Sequence, residues 1–262
     1  MQLNGKTVWV TGASSGIGEA LCEQLAAKGA TLILSARNED KLNKLNKRLG
    51  GNHHVVPLDL AKPEALLEDM PTVIERLGQV DVLINNGGVS QRSLPLENEF
   101  TVYRQLMEVN YFGLIALTKA VVPQMVKQGM GMVVSISSVA GKVGSKFRTG
   151  YSGSKYAVVG FMDCLRAELA DKNINCLTIC PGSIKTAIAH NSLDGQGKPQ
   201  NKPEHSIENG MDVAKAAAKM IKAIEAEKDE VVIGEGISGL APTIKRFFPS
   251  FFNRLTAKMN YR

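Results

Sequence analysis

From Thr7 to Gly18 the sequence reads TVWVTGASSGIG, an apolar run that leads directly into a glycine-rich turn. An amphipathic segment near residues 16–28 follows at once. In open parallel sheets, ligands bind outside the carboxyl ends of the strands, and a helix N-terminus placed there binds phosphate. Gly12 would permit the tight turn, Gly16 a close approach to a pyrophosphate, and Gly18 the packing of helix on strand. We therefore interpret residues 12–18, with Ser14, Ser15 and Ile17, as a phosphate-binding turn. A purely structural turn is the alternative, since the spacing is G-x-x-x-G-x-G rather than G-x-G-x-x-G.

The same alternation of short apolar runs and longer amphipathic segments continues along the 262 residues. Most of the runs are almost continuously apolar, which is typical of parallel strands buried on both faces. We predict a doubly wound α/β fold of the Rossmann type, with about seven parallel strands and helices on both faces, as a single catalytic domain over residues 1–240. We expect Pro123 to kink or end the fourth helix. The predicted strands are Thr7–Val10, Thr31–Ser35, Val55–Leu58, Asp81–Asn85, Met132–Ile136, Cys176–Ile179 and Glu230–Ile233, and the predicted helices lie near 16–28, 38–49, 62–77, 97–128, 152–171 and 212–228.

Two segments depart from this pattern. Residues 183–210 are polar and too long for a routine connection, so we predict a substrate-binding loop or lid. Residues 241–262 form an aromatic tail that holds five of the 31 Lys and Arg residues and no Asp or Glu. A short helix after Pro249 would place four apolar residues on one arc and three cations along its edge, and it could contact an anionic membrane surface, another subunit or the pocket mouth. The arc is Phe251, Phe252, Leu255 and Met259, and the cations are Arg254, Lys258 and Arg262.

Composition excludes several classes of protein. An apolar content of 44% and a charged content of 21% are typical of a soluble globular protein. The net charge of +6 comes mainly from the tail, which argues against a nucleic-acid-binding body. A strand that begins at Thr7 leaves no room for a signal peptide, and no apolar run approaches the roughly 20 residues of a membrane span. We therefore expect a cytoplasmic protein, with peripheral membrane contact through the tail as an open alternative. The four cysteines lack metal-ligand spacing and are predicted to be core thiols, so no metal site is expected.

The ends of the second, third and fourth strands carry residues suited to a dinucleotide. Arg37 follows the second strand, where an acidic residue would bind the ribose hydroxyls of NAD. A guanidinium instead matches a 2′-phosphate, so we predict NADP(H), with a solvated Arg37 as the alternative. Asp59 and Leu60 close the third strand, where the carboxylate can accept from an adenine amino group. Asn86 and Gly87 close the fourth strand and would bring the backbone close to the ribose.

A possible acid–base pair lies further along the chain. Tyr151 and Lys155 are four residues apart and would share a helical face. A free tyrosine has a pKa of about 10, and a nearby cation can lower it by about 1–3 units, toward the range useful for general acid–base catalysis. A chance pair on a helix surface is the alternative. Ser137 and Ser138 end the fifth strand, where a hydroxyl can stabilise a substrate oxygen. Asn110 lies within an apolar helix and would either hold a proton-relay water chain or be a satisfied structural group.

Together these motifs resemble the short-chain dehydrogenase/reductase family, in its single-domain branch of about this length. The resemblance covers roughly residues 5–235 and places the family's serine thirteen residues before its tyrosine, which selects Ser138. It implies a catalytic tetrad of Asn110, Ser138, Tyr151 and Lys155. It also implies that Lys155 binds the nicotinamide ribose and that the segment Pro181–Thr186 contacts the cofactor, with Ile184 and Thr186 at the carboxamide. The matching residues are Thr11–Gly18, Asp59, Asn85–Gly87, Asn110, Ser138, Tyr151, Lys155 and Pro181, Gly182, Ser183, Ile184, Lys185, Thr186.

One departure from the family is visible at Gly87, where the family commonly has alanine; we expect a looser turn and unchanged chemistry. Residues Val89–Ser93 resemble a subgroup of steroid- and retinoid-type carbonyl reductases, which indicates a lipophilic substrate. The implied function is hydride transfer between NADP(H) and an alcohol or carbonyl compound, as a ketone or aldehyde reductase with Tyr151 as general acid/base. The alternatives are a non-catalytic NADP(H)-binding redox sensor and an epimerase or dehydratase of the same fold. Family members usually pair through the helices near 97–128 and 152–171, so a homodimer or homotetramer is expected.

Overall fold

The computed structural model describes residues 1–202 and 205–259. Within them, seven parallel strands form one sheet in the order β3-β2-β1-β4-β5-β6-β7. The order reverses beside β1, which is the doubly wound arrangement, so the predicted Rossmann-type fold is confirmed. The strands are β1 Thr7–Thr11, β2 Thr31–Ser35, β3 His54–Val55, β4 Val82–Asn85, β5 Gly131–Ile136, β6 Ile174–Pro181 and β7 Glu230–Ile233.

The helices cover both faces of the sheet. One core lies under α1, α2 and α8, and the other lies under α3, α5 and α6. Side chains on β1 alternate between them: Val8 and Val10 pack in the first core, and Trp9 packs in the second. Parallel strands buried on both faces explain the continuously apolar runs of the sequence. The helices are α1 Gly16–Ala27, α2 Glu39–Arg48, α3 Pro63–Leu77, α4 Phe100–Met107, α5 Gly113–Gln128, α6 Thr149–Glu168, α7 His205–Glu208, α8 Val213–Glu225, α9 Ile237–Phe247 and α10 Pro249–Lys258.

The third strand is shorter than predicted and begins one residue earlier. Pro57 has no N–H to give to a ladder, so regular pairing ends before it. The chain nevertheless continues beside β2, because the Val56 and Leu58 amides donate to the Leu34 and Ala36 carbonyls at 3.0 and 3.2 Å. Asp59 therefore still arrives at the carboxyl edge of the sheet.

The predicted fourth helix is two α-helices joined by a π-helical turn at Glu108–Phe112. Pro123 does not end it, since α5 continues to Gln128. Pro123 and Lys119, whose carbonyl loses its helical partner there, are both exposed, so water can satisfy that carbonyl.

The segment Phe100–Gln128 also corrects the expectation that no stretch could span a membrane. By length and composition it is long and apolar enough, with a mean hydropathy of 1.2 over an 18-residue window. Its apolar residues Leu114, Leu117, Val121 and Met125 are buried in the second core. These contacts are those of the core helix of a globular domain.

The two irregular segments have more structure than expected. In residues 183–210 the chain forms isolated bridges and the one-turn helix α7. The tail contains α9, which was not predicted and includes Pro242, and then α10. The apolar residues predicted to form one arc on α10 do not share one environment, because Phe252 is buried and Phe251 is exposed. Residues 203–204 of the predicted lid and Arg262 lie outside the described residues.

The cysteines differ in burial from what was predicted. Cys22, Cys176 and Cys180 are buried, as core thiols should be. Cys164 is exposed, so it is wrong to call all four core residues. It lies on α6, on the side turned away from the sheet.

Candidate active site

The glycine turn after β1 has a shape that only glycine can adopt. Gly12 and Gly16 have φ angles of +66° and +58°, in the left-handed region that disfavours side chains. A Cβ on Gly18 would lie 2.2 Å from the Gly12 carbonyl oxygen, so α1 could not begin this close to the strand with any larger residue. The turn therefore leaves bare backbone at the N-terminus of α1, with Ser14 and Ser15 partly or fully exposed beside it. This is the geometry of an anion cradle.

Thr11 links the end of β1 to the end of β4 through hydrogen bonds. Sequence reasoning did not assign this role to it. Its hydroxyl oxygen accepts from the backbone amides of Asn86 and Gly87 at 3.0 and 2.9 Å. The Asn86 side-chain amide in turn donates to the Thr11 carbonyl at 2.9 Å. The sequence signal for this link was a threonine at the last position of the first strand. The bonds place the predicted cofactor residues Asn86 and Gly87 beside the glycine turn.

The missing methyl group does not loosen the turn at Gly87, because a neighbouring side chain fills the space. A Cβ on Gly87 would lie 2.5 Å from Cδ1 of Leu60, so the leucine side chain occupies that space. The expectation of a looser turn is therefore wrong. Asp59 is half-buried at the same edge, and its carboxylate accepts from the Ala61 amide at 3.0 Å.

Arg37 lies just beyond the end of β2 and is exposed. The Ala13 amide of the glycine turn donates to the Ser35 carbonyl at 3.1 Å, which brings the end of β2 against the turn. On the opposite side of the turn, Thr186 Cγ2 lies 3.4 Å from the Cβ position of Gly16. Ile184 is buried and accepts through its carbonyl from the Thr186 hydroxyl at 3.5 Å. The predicted residues on both sides of the turn are thus brought together.

Pro181 and Gly182 lie where β6 ends. The Gly182 amide donates to the Ile233 carbonyl of β7 at 2.8 Å. A Cβ on Gly182 would lie 2.6 Å from Oγ of Ser238 in α9, so the chain passes close to the tail at this point. These contacts fix the direction in which the chain leaves β6 and continues to Ile184 and Thr186.

Tyr151 and Lys155 lie in the first two turns of α6, which begins three residues earlier than predicted. Both side chains are buried, and Lys155 Nζ lies 6.0 Å from the centroid of the Tyr151 ring. The ammonium donates to the Ile136 carbonyl at the end of β5, at 2.9 Å. Burial lowers the pKa of Lys155 to about 8, against a smaller opposing effect of Cys180. A lysine buried beside a phenol at the carboxyl edge of a sheet is typical of a functional pair.

This burial predicts a pH-dependent contribution of Lys155 to stability. Above pH 8 the folded protein releases the Lys155 proton, whereas the unfolded chain keeps it up to about pH 10.5. The unfolded state then binds more protons, so the free energy of unfolding rises with pH in this window. We expect the free energy of unfolding of wild type, minus that of Lys155→Met, to rise by up to a few kcal/mol from pH 8 to pH 10. Urea unfolding at several pH values measures it. Lys119→Met is the control, because the Lys119 side chain is exposed. A difference in free energy of unfolding between wild type and Lys155→Met that does not change with pH would contradict the prediction.

The structure distinguishes the two serines after β5. The Ser137 side chain is buried and donates to the Lys155 carbonyl at 2.9 Å, which makes it a support for α6. Ser138 is half-buried; its hydroxyl accepts from the Ala140 amide at 3.0 Å and donates weakly to the Pro181 carbonyl at 3.4 Å. Ser138 is therefore the serine whose hydroxyl is free to turn toward a bound substrate.

Asn110 lies in the π-helical turn, a rare form that occurs mostly at functional sites. Its side-chain oxygen accepts from the Val89 amide at 2.8 Å, and its amide donates to the Val89 carbonyl and to the Ser154 hydroxyl, both at 2.9 Å. Ser154 donates to the Tyr151 carbonyl at 2.8 Å. Asn110 thus links the end of β4 to the helix that carries Tyr151. Sequence reasoning missed Ser154, although a small polar residue on the inner face of that helix was its signal.

Arg148 and Gln91 were also missed. The Arg148 guanidinium lies 5.6 Å from the centroid of the Tyr151 ring. It donates to the buried Ser90 hydroxyl at 3.0 Å. Gln91 is fully buried and accepts weakly from the Tyr151 amide at 3.4 Å. The loop after β4 therefore lies against the start of α6.

These residues fit a nicotinamide dinucleotide. The glycine turn presents backbone without side chains at the N-terminus of α1, with Gly12 and Gly16 in left-handed conformations, and such a turn can bind a pyrophosphate. Arg37 and Asp59 lie at the ends of the strands toward β3, and Tyr151 and Lys155 lie toward β5. A dinucleotide bound across the switch point would extend between these two groups.

Comparison with known proteins shows similarity to short chain dehydrogenases. A family model described as short chain dehydrogenase matches residues 6–197. The dehydrogenase/reductase SDR family protein 7-like of Drosophila melanogaster is 38% identical, over 98% of this chain and 81% of its own length. A short chain dehydrogenase from Burkholderia cenocepacia, solved in complex with NADP, has a TM-score of 0.83 and 24% identity, covering 99% of this chain and 100% of its own.

A short chain dehydrogenase/reductase from Burkholderia phymatum, solved in complex with NAD, has a TM-score of 0.80 and 22% identity, covering 100% of this chain and 98% of its own. These two solved structures share the fold. The family model and the fly relative go further, since they match most of the chain in sequence. The chain belongs to the short-chain dehydrogenase/reductase family, and it is an oxidoreductase that uses a nicotinamide dinucleotide.

Proposed function

We propose that this enzyme transfers a hydride between NADP(H) and an alcohol or carbonyl compound, acting as a ketone or aldehyde reductase. The observation that carries the proposal is the buried pair of Tyr151 and Lys155, with the Ser138 hydroxyl half-exposed at the end of the neighbouring strand. A phenol, an ammonium and a hydroxyl at one sheet edge are the groups that carbonyl reduction requires.

The bound nicotinamide ring would supply or accept the hydride. Tyr151 donates a proton to the substrate oxygen in reduction, and it accepts the proton in oxidation. Ser138 donates a hydrogen bond to the same oxygen while its charge changes. Lys155 places a positive charge beside the phenol, which favours the phenolate left after proton donation. The chain thus holds a proton donor and a charge stabiliser on either side of the reacting oxygen.

Asn110 and Lys155 are the groups we propose for resupplying the proton to Tyr151. Asn110 has all its amide hydrogens in use, so its direct role is to hold Val89 and Ser154 in place. Its Oδ1 lies only 2.9 Å from the Cβ position of Gly88, and Lys155 Nζ lies 3.5 Å from the same position. Asn110 Oδ1 and Lys155 Nζ therefore both lie beside the same face of Gly88. We propose that a water bound close to these two polar atoms connects the pair to solvent.

We propose NADP(H) rather than NAD as the cofactor, because of Arg37. Arg37 is exposed beside the glycine turn, at the position where a carboxylate would bind the ribose hydroxyls of NAD. A planar guanidinium can bind a 2′-phosphate through two parallel hydrogen bonds.

Arg37→Asp is therefore expected to reverse the cofactor preference. The change removes a charge-assisted contact and adds repulsion, so the ratio of kcat/KM for NADPH to that for NADH should fall by about 100-fold. Lys47→Asp makes the same charge change at the far end of α2 and should leave the ratio within about twofold. Steady-state kinetics with both cofactors measure the ratio, and an unchanged ratio for Arg37→Asp would refute the assignment.

An NADPH-oxidation screen tests the reaction class. Ketones, aldehydes and quinones of graded size and polarity are offered to the enzyme, and absorbance of NADPH is followed. Consumption with at least one carbonyl class supports the proposal. A redox sensor would bind NADPH without turning it over, and an epimerase or dehydratase would convert its substrate with no net NADPH consumption.

We further propose that residues 1–240 act as one catalytic domain, with 183–210 as a lid. Residues 193–195 lie along the loop after β4: the Arg92 amide donates to the Leu193 carbonyl at 2.9 Å, and the Glu99 amide donates to the Gly195 carbonyl at 2.8 Å. The segment thus contacts the loop whose Gln91 accepts from the Tyr151 amide, which supports the proposal that it covers the site from that side.

For the assembly we propose a cytoplasmic homodimer or homotetramer that pairs through α4, α5 and α6. The outer faces of these helices carry exposed aromatic residues, among them Phe112 and Tyr156. Such residues are enriched in protein interfaces. Light scattering of the purified protein measures the assembly.

A further inference from the structure

Helices α9 and α10 are docked on the domain by one side only. Ala241 of α9 and Phe252 of α10 are buried against Val139 and Val143, in the turn that follows Ser138. Ile244 packs against the same cluster. These contacts fix which side of the two helices faces outward.

The two helices expose many apolar side chains around this anchored cluster. Five large side chains are 59–67% exposed, although they lie within a stretch of 15 residues. Single exposed apolar residues are ordinary on protein surfaces, whereas a contiguous group of them marks a binding surface. We call this group the tail surface; it consists of Ile237, Leu240, Phe247, Phe248 and Phe251.

The charged residues within 236–262 are all cations, and the preceding Glu235 is paired with Lys215 at 2.7 Å. Arg246, Arg254 and Lys258 are exposed, and residues 236–262 contain no Asp or Glu. Lys245 is partly buried and lies 5.9 Å from the centroid of the Phe252 ring. Exposed aromatic residues next to unopposed cations are typical of helices that lie in a membrane interface. A second copy of the same surface would bring cations against cations, which opposes self-association.

We propose that the tail surface binds an anionic lipid bilayer, with its aromatic side chains in the headgroup region and its cations on the lipid phosphates. Apolar burial and attraction to the negative surface both contribute to such binding. The two helices stay packed on the domain through Ala241 and Phe252 in this arrangement, so they do not insert across the bilayer. The bilayer would then lie next to the turn that follows Ser138.

Vesicle flotation tests the proposal without using catalytic activity. Full-length protein is mixed with vesicles of 70% phosphatidylcholine and 30% phosphatidylserine, or of phosphatidylcholine alone, at 0.1 M salt. We expect wild type to float with the anionic vesicles and to sediment without them. The triple variant Phe247→Ser, Phe248→Ser, Phe251→Ser should lose at least about tenfold in partitioning. The triple variant Arg246→Gln, Arg254→Gln, Lys258→Gln should lose a similar factor.

Two control variants separate the surface from general effects. Leu67→Ser with Leu96→Ser removes two exposed apolar residues elsewhere, and Lys41→Gln, Lys44→Gln, Lys47→Gln removes the same charge from α2. Both should float like wild type, and circular dichroism should show equal folding of all variants. Failure of wild type to float, or equal flotation of the tail and control variants, would overturn the proposal. So would a tail variant that dissociates an oligomer in light scattering while it still floats, because the surface would then join copies of this chain.

Discussion

The Tyr151→Phe variant is expected to lose at least about 10³-fold in kcat, while its affinity for NADPH stays within about twofold of wild type. General acid–base groups contribute about 10²- to 10⁴-fold, and phenylalanine has no proton to transfer. Phenylalanine keeps the ring, so the burial of the side chain and its contacts with Lys155 and Arg148 are preserved. The loss should therefore appear in turnover and not in cofactor binding.

NADPH oxidation with the best substrate of the carbonyl screen, together with a fluorescence titration of NADPH, measures both quantities. Tyr156→Phe is the matched control, because Tyr156 is the other tyrosine of α6 and its side chain is exposed. It should keep full activity. Retention of most activity by Tyr151→Phe would remove Tyr151 from the proton-transfer step and leave the family assignment intact.

The Gly18→Ala variant is expected to lose both cofactor affinity and stability. The added Cβ would lie 2.2 Å from the Gly12 carbonyl oxygen and 2.6 Å from the Asn86 side-chain nitrogen. The first of these atoms belongs to the backbone of the cradle, so the start of α1 must move away from the strand. We expect the dissociation constant for NADPH to rise at least about tenfold and the free energy of unfolding to fall by about 1–3 kcal/mol.

Isothermal titration with NADPH and urea unfolding without cofactor measure these two effects. Gly160→Ala is the control: it lies on the exposed side of α6, and no atom comes within 4 Å of its Cβ position. It should stabilise the protein by up to about 1 kcal/mol, because alanine favours a helix over glycine. A Gly18→Ala protein with wild-type affinity and stability would show that the cradle can widen without loss.

The architecture was predictable because its signal is local and repeated. Continuously apolar runs at regular intervals predict buried parallel strands, and the glycine turn after the first run predicts where a dinucleotide binds. The errors occurred where a local signal was ambiguous. The third strand was misplaced around Pro57, and α9 was missed because Pro242 and neighbouring glycines argue against a helix.

The catalytic candidates were also found from sequence, but their arrangement was not. The i, i+4 spacing put Tyr151 and Lys155 on one helix face, and their burial together depends on β5, whose Ile136 carbonyl accepts from the lysine. The choice between Ser137 and Ser138 came from resemblance to a family. The structure adds a reason, because the Ser137 hydroxyl already donates to the Lys155 carbonyl of α6. The contacts of Arg148 and Ser154 with this helix could not be read from the chain.

Residue pattern alone was enough to predict the fold class and to propose the glycine turn and the pair Tyr151 and Lys155 as candidates, because each of these signals depends on neighbours within a few residues. Tertiary structure decided the burial that lowers the pKa of Lys155, the filling of the Gly87 turn by Leu60, and the outward side of α9 and α10. Each of these depends on atoms from segments far apart in the chain. Desolvation and steric contact act over a few ångströms in space, and the sequence order does not record which distant residues come that close.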